Sequence, residues 1–134
     1  MFKSSHAFSS FSVNDLQAAK EFYSEILGLR VSSNPMGVME LHIKGSSNIM
    51  VYPKPDHQPA TFTILNILVP DLENAVDALI VKGIKFEQYH NEHFNTDKLG
   101  IMRGNGHGPD IAWFKDPAGN ILSLIEDKLI EDKM

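Results

Sequence analysis

One short pattern occurs twice in the chain, and this internal repeat constrains the fold more than any other feature. Val13-Asn14-Asp15-Leu16 is followed by Gly28-Leu29, and Val69-Pro70-Asp71-Leu72 is followed by Gly83-Ile84. The second aspartate-to-glycine interval is one residue shorter than the first, so the second helix is predicted to be one residue shorter. The repeat predicts two halves with the same order of structural elements.

Each half has the pattern of a strand, a helix and a further strand. In the first half, apolar residues recur at three- and four-residue spacing and so share one helix face, namely Leu16, Ala19, Phe22, Tyr23, Ile26 and Leu27. Asp15 and Asp71 can cap the two helix starts with a side-chain oxygen. Gly28 and Gly83 can adopt the left-handed conformation that ends a helix.

Alternating and β-branched segments predict strands around these helices. Glu40 to Lys44 alternates in polarity, and Ile49 to Tyr52 follows a short polar turn. Ile111 to Phe114 and Ile121 to Ile125 flank Asp116-Pro117-Ala118-Gly119, a sequence typical of a tight turn. The last two segments therefore predict a β-hairpin.

Composition excludes several classes of function. The chain has no cysteine, which excludes disulfides, thiolate metal sites and a cysteine nucleophile. Its net charge of −5 and lack of a basic stripe argue against nucleic acid as a partner. Its apolar runs are too short for a membrane span, so we expect a cytoplasmic protein with no membrane partner.

The order of these motifs resembles the vicinal oxygen chelate superfamily, which includes glyoxalases, bleomycin-resistance proteins and extradiol dioxygenases. The resemblance implies an α+β fold of two βαβββ modules, with curled mixed sheets around a cavity and helices on the outside. It also implies a homodimer. We expect one domain over residues 1–134, with module one at about 4–53, a linker at about 54–61, module two at about 62–126 and a tail at 127–134.

The resemblance also indicates where a metal would be bound, because enzymes of the superfamily use His or Glu from the first and last strands of each module. The matching first-strand positions here are Phe8 and Ile64, and the last-strand position of module two is Ser123. The equivalent in module one lies near residues 50–52. Benzyl and sec-butyl side chains have no lone pairs for a cation. We therefore predict no metal and no cofactor at the usual site.

Strand alternation predicts which side chains face the cavity. If Phe8 faces inward, His6, Ser10 and Ser12 do so too. In the second half Phe62, Ile64 and Asn66 face inward while Thr63 lies behind. Either Trp113 or Phe114 faces the cavity, and the other lies in the core. The predicted ligand-binding residues are His6, Phe8, Ser10, Glu40, His42, Tyr52, Ile64, Asn66, His107, Trp113 and Ser123.

Three functional hypotheses follow from these residues. The leading one is a metal-independent protein that binds or sequesters a small, partly hydrophobic or aromatic molecule. The second is a divergent lyase, isomerase or dioxygenase with a shifted metal held by His6, Glu40 or His42. The third is a structural or regulatory partner protein whose interior is closed, with Phe8 and Ile64 filling it.

Overall fold

The computed structural model describes residues 1–130, and these residues form two compact units. Module one lies in the unit of residues 1–59, and module two lies in the unit that begins at Ala60. Module one contains β1 (Ser10–Val13), α1 (Leu16–Glu21), a π-helical turn (Phe22–Ile26), β2 (Arg30–Ser33), β3 (Met39–His42) and β4 (Ile49–Pro53). Module two contains β5 (Thr63–Val69), α2 (Leu72–Val81), β6 (Ile101–Met102), β7 (Ile111–Lys115) and β8 (Ile121–Glu126).

The two sheets have the same topology. Their strand orders are β1-β4-β3-β2 and β5-β8-β7-β6, so each strand of module two occupies the place of its counterpart in module one. The first strand of each module pairs in parallel with the last, and the other pairs are antiparallel. Both are open, four-stranded mixed sheets. The α+β fold of two βαβββ modules that the resemblance implies is confirmed.

The helix starts have the predicted caps. The Asp15 side chain accepts a hydrogen bond from the Ala18 amide, and Asp71 accepts one from the Asn74 amide, both at 3.1 Å. Gly28 and Gly83 follow the helices with φ of 70° and 94°, which L-residues with a side chain rarely adopt. The repeated aspartate and glycine therefore mark the same backbone geometry twice.

Alternation along the strands separates a buried face from an open face in each sheet. On β3 the side chains of Met39 and Leu41 are buried, whereas Glu40 is only half-buried. On β7, Ala112 and Phe114 are fully buried beneath α2, with Leu122 from β8 among the fully buried side chains of the same module. Complete burial of one such large side chain contributes roughly 1.5–3 kcal/mol to folding.

The region after α2 differs from the prediction of a strand directly behind Gly83. Residues 84–89 form no regular strand, and the outer strand β6 comes later and is only two residues long. The Glu87 amide nevertheless donates to the Trp113 carbonyl at 2.8 Å, so this segment continues the edge beside β7. Gly100 allows the chain to pass close to this segment. A side chain at position 100 would clash, because its Cβ would lie only 2.7 Å from the Phe86 Cβ. The irregular segment and the short strand β6 together form the sheet edge that β2 forms in module one.

The predicted tail is described only in part. The Asp127 amide donates to the Val69 carbonyl at 2.8 Å, which holds the start of the tail against the end of β5. Residues 131–134 of the predicted tail lie outside the described residues. Within residues 1–130, neither helix has the length and apolar character that crossing a membrane requires.

Removal of a helix cap gives a direct test of the repeat. Asp71→Ala should lower the free energy of unfolding by about 1 kcal/mol, because the Asn74 amide loses its partner. Asp71→Asn keeps a side-chain oxygen acceptor and should stay close to the wild type. Urea denaturation measures both variants, and equal destabilisation by Ala and Asn would contradict the cap assignment.

Candidate functional site

Module two contains a cavity of about 390 Å³ with mainly aromatic and apolar walls. β7 and β8 contribute one wall, the start of β5 a second, and the segment after α2 a third. The lining residues are Thr61, Phe62, Thr63, Tyr89, Asn91, Phe94, Trp113 and Ile121. Concave, largely apolar walls with a few polar groups are typical of small-molecule sites.

Trp113 occupies the centre of this site because of alternation along β7. Phe114 is fully buried and its ring contacts Phe86 with a centroid distance of 5.5 Å, so the adjacent Trp113 must lie on the opposite face. Its indole N–H donates to the Thr63 hydroxyl at 3.2 Å. The only tryptophan of the chain is thus held in a defined orientation against the cavity.

A β-bulge decides which residues of β5 reach the cavity. Thr63 pairs with Ile121, but Leu65 pairs with Leu122, so the register shifts between Thr63 and Leu65. The extra residue interrupts the alternation, and the consecutive residues Thr61, Phe62 and Thr63 at this end of the strand all line the cavity. Thr63, expected to lie behind the strand, therefore lies beside Trp113, and the half-buried Ile64 is not among the lining residues.

The third wall is a compact loop that carries two further aromatic rings. His90 and Asn95 form an isolated bridge, and the Asn91 side chain accepts from the His93 and Phe94 amides at 2.8 Å. The Tyr89 amide donates to the Thr96 hydroxyl at 2.9 Å. These bonds hold Tyr89 and Phe94 on the cavity side.

The three rings contact one another. The Trp113 ring lies 5.5 Å from Tyr89 and 5.7 Å from Phe94, and the Tyr89 and Phe94 centroids are 6.5 Å apart. Tyr89 and Phe94 are not among the ligand-binding residues predicted from the sequence, because they lie within the polar, glycine-rich stretch 88–108, which has no regular strand or helix pattern. Two aromatic residues within an otherwise polar segment were the available signal.

The phenol of Tyr89 stays protonated at neutral pH. Partial burial raises the pKa of Tyr89, and the negative charge of Glu87 raises it further, whereas Lys115 acts in the opposite direction. The hydroxyl can therefore donate a hydrogen bond to a bound molecule.

An ion-pair network anchors the segment that carries these rings. The Asp97 carboxylate accepts from the Leu99 and Ile101 amides and from the Arg103 guanidinium at 2.9 to 3.1 Å. Arg103 also contacts Glu73 at 2.6 Å and Asp110 at 3.3 Å. Burial alone would raise the pKa of Asp97, but the two amides and Arg103 outweigh it and lower that pKa.

Module one has a second, more polar cavity of about 620 Å³. It brings together three of the predicted residues, His6, Phe8 and Glu40. The Asn48 side-chain amide donates to Glu40 at 3.4 Å, and His6 and Phe8 are exposed. The residues that line it are His6, Ala7, Phe8, Asn34, Glu40, Ser46, Ser47, Asn48 and Met50.

The remaining predicted residues lie outside both cavity linings. His42 Nε2 is 2.7 Å from the Ser32 hydroxyl, and the Ser123 hydroxyl donates to Asn66 at 2.6 Å. Ser10 and Tyr52 lie on the paired strands β1 and β4, Ile64 lies at the bulge, and His107 is exposed in a turn.

Comparison with known proteins identifies the family. The sequence model of the Glyoxalase/Bleomycin resistance protein/Dioxygenase superfamily matches residues 5–124. The chain belongs to this superfamily. A search of the curated proteins found no significant match.

Several solved structures share the fold of this chain. A superfamily member from Sphaerobacter thermophilus has a TM-score of 0.65 at 19% identity, over 91% of this chain and 98% of its own. TnmS3, an antibiotic binding protein from Streptomyces sp. CB03234, has a TM-score of 0.63 at 21% identity, over 92% and 97%. Lactoylglutathione lyase from Agrobacterium tumefaciens has a TM-score of 0.63 at 19% identity, over 94% and 96%. At such identities the likeness establishes the fold alone.

The side chains of this member do not fit the divalent metal of the superfamily. Phe8 and Ile64 have no donor atoms, and the hydroxyl of the fully buried Ser123 is bonded to Asn66. Among residues 1–130, no group of three or more His, Asp or Glu side chains is arranged to hold a metal ion. Phe8 and Ile64 therefore cannot coordinate a cation at the two first-strand positions.

The Asp97 network predicts part of the pH dependence of stability. Because the folded state lowers the pKa of Asp97 below its ordinary 3.8, its contribution is full above that value and is lost as the pH falls through the lowered pKa. Asp97→Asn should therefore make the acid loss of stability shallower. Urea denaturation between about pH 6 and pH 3 measures the slope. The exposed Asp77→Asn is the matched control, and an identical slope in wild type and Asp97→Asn would contradict the assignment.

Proposed function

We propose that this superfamily member binds or sequesters a small, partly hydrophobic or aromatic molecule without the usual metal. The observation that carries the proposal is the aromatic cavity of module two, with Trp113 hydrogen-bonded in place at its wall. A purely structural role would favour closed packing of these rings. Phe62 and Phe94 instead remain 67% and 44% exposed beside the cavity.

The cavity favours an apolar ligand on energetic grounds. Apolar surface removed from water contributes roughly 25 cal/mol per Å², and aromatic side chains offer the largest areas. The polar side chains at the wall are few, and they serve to orient a ligand. The Tyr89 hydroxyl and the threonine hydroxyls are the groups suited to this task.

Proteins with this fold include both binding proteins and enzymes, so the fold does not distinguish the two classes. The side chains of the site must be used instead. TnmS3 is described as antibiotic binding, whereas the Agrobacterium protein is a lyase. Phe8 and Ile64 at the expected ligand positions favour the binding class for this chain. A homodimer and a cytoplasmic location stay predictions.

One observation favours the second candidate, a divergent enzyme. His6 and Glu40 line the same cavity in module one, so an acid-base pair or a shifted metal could be placed there. His42, the third residue of that hypothesis, lies outside this lining and contacts Ser32.

Ligand binding should raise the melting temperature of the protein in a screen of aromatic and antibiotic-like compounds. A ligand at about 100 times its Kd stabilises the native state by about 2.7 kcal/mol. Phe94→Ala should weaken a hit on the order of tenfold, the equivalent of about 1.4 kcal/mol of lost ring contact. Phe2→Ala, a change at another exposed phenylalanine outside both cavity linings, should leave the affinity within twofold. A broad library without any hit would favour the closed-interior hypothesis.

Metal analysis separates the two candidate functions. Protein purified without a histidine tag should carry far less than one Ni, Zn, Mn or Fe per chain, since the donor positions hold Phe8 and Ile64. A stoichiometric metal that is lost in His6→Ala or Glu40→Gln would overturn the metal-independent proposal and favour the enzyme.

A further inference from the structure

The rings of the module-two cavity meet at steep angles. The Trp113 plane is inclined by 76° to Tyr89 and by 86° to Phe94, and the Tyr89 and Phe94 planes are inclined by 56°. No two of these three planes are parallel, so they cannot sandwich a flat ring between facing surfaces. A corner of inclined rings instead suits a compact group that touches several rings at once.

The electrostatics of the cavity favour a positive group. The faces of aromatic rings carry negative charge density that attracts cations, most strongly for tryptophan. No lysine or arginine is among the lining residues to oppose a cation. Glu87 places a negative charge close enough to affect Tyr89, although Lys115 pairs with Glu87 at 3.3 Å and offsets part of its field.

The hydrogen-bonding groups distinguish between types of cation. A primary ammonium has three N–H donors, and each would need an acceptor when removed from water. The lining offers neutral hydroxyls from Thr61, Thr63 and Tyr89 but no carboxylate, and the Asn91 side-chain oxygen already accepts from two backbone amides. An alkylated ammonium group has few or no N–H donors, so it can enter such a site without losing hydrogen bonds.

We infer that the module-two cavity recognises an alkylated ammonium group held against Tyr89, Phe94 and Trp113. This inference rests on the proposed function and specifies the chemical class of its ligand. Such a ligand would combine an organic cation with an apolar body.

A pair of matched probes tests the inference. Choline and 3,3-dimethylbutan-1-ol have nearly the same shape and differ in the charge of the head group. Because the chain has one tryptophan, its single indole N–H signal in a ¹⁵N NMR spectrum reports on this cavity. Choline should bind on the order of fivefold to tenfold more tightly than the alcohol. Ethanolamine, a primary ammonium probe, should bind more weakly than choline.

Ring-to-aliphatic variants link the preference to the site. Phe94→Leu and Tyr89→Leu keep apolar bulk but remove a ring, so each should reduce the preference for choline over the alcohol about threefold or more. Phe2→Leu is the matched control and should preserve the preference. Circular dichroism verifies that each variant is folded, and either ring variant alone is sufficient for the test.

The outcomes separate the inference from the proposed function. Equal affinity for choline and the alcohol, or an indole shift with flat neutral aromatic compounds only, would overturn the inference and leave the proposed function standing. If no compound shifts the indole signal or raises the melting temperature, both fail.

Discussion

The candidate site depends on the placement of two adjacent aromatic side chains on opposite faces of β7. Phe114 is completely buried against Phe86, and backbone alternation then directs Trp113 to the open face. The Thr63 hydroxyl accepts the indole N–H, which satisfies the one polar group of the tryptophan and restrains its ring. The rings of Tyr89 and Phe94 complete the wall by packing against this fixed indole. The buried core of module two therefore determines the orientation of its binding surface.

Modules one and two have the same strand order but different open faces. In module one, the residues near the cavity are mostly polar, including Glu40, Asn48 and His6. In module two the corresponding cavity is aromatic, and the outer edge of the sheet combines the two-residue strand β6 with an irregular segment after α2. The two modules thus share a strand order, while the side chains of their open faces differ. Function on such a scaffold depends on the side chains of each open face and not on the shared topology.

Local sequence signals predicted most of the fold. The caps at Asp15 and Asp71 and the hairpin turn after Asp116 depend on interactions within a few residues, so their patterns are visible in the chain. The site was predicted less completely. Trp113 lines the module-two cavity, but Tyr89 and Phe94 come from a loop whose position depends on distant partners such as Arg103 and Glu73. Simple alternation of side chains does not predict the bulge near Ile64. The bulge places Thr63 on the cavity side.

The sequence by itself determined the superfamily fold, the two modules and the lack of metal-binding side chains at Phe8 and Ile64. These properties follow from local periodicity, capping and donor chemistry, which need no knowledge of distant contacts. Only the tertiary structure decided that one cavity has three inclined rings around Trp113 and that His6 and Glu40 share another. The physical reason is that a cavity consists of side chains brought together from separate segments. Their distances and angles depend on register shifts and long-range ion pairs that the linear pattern does not encode.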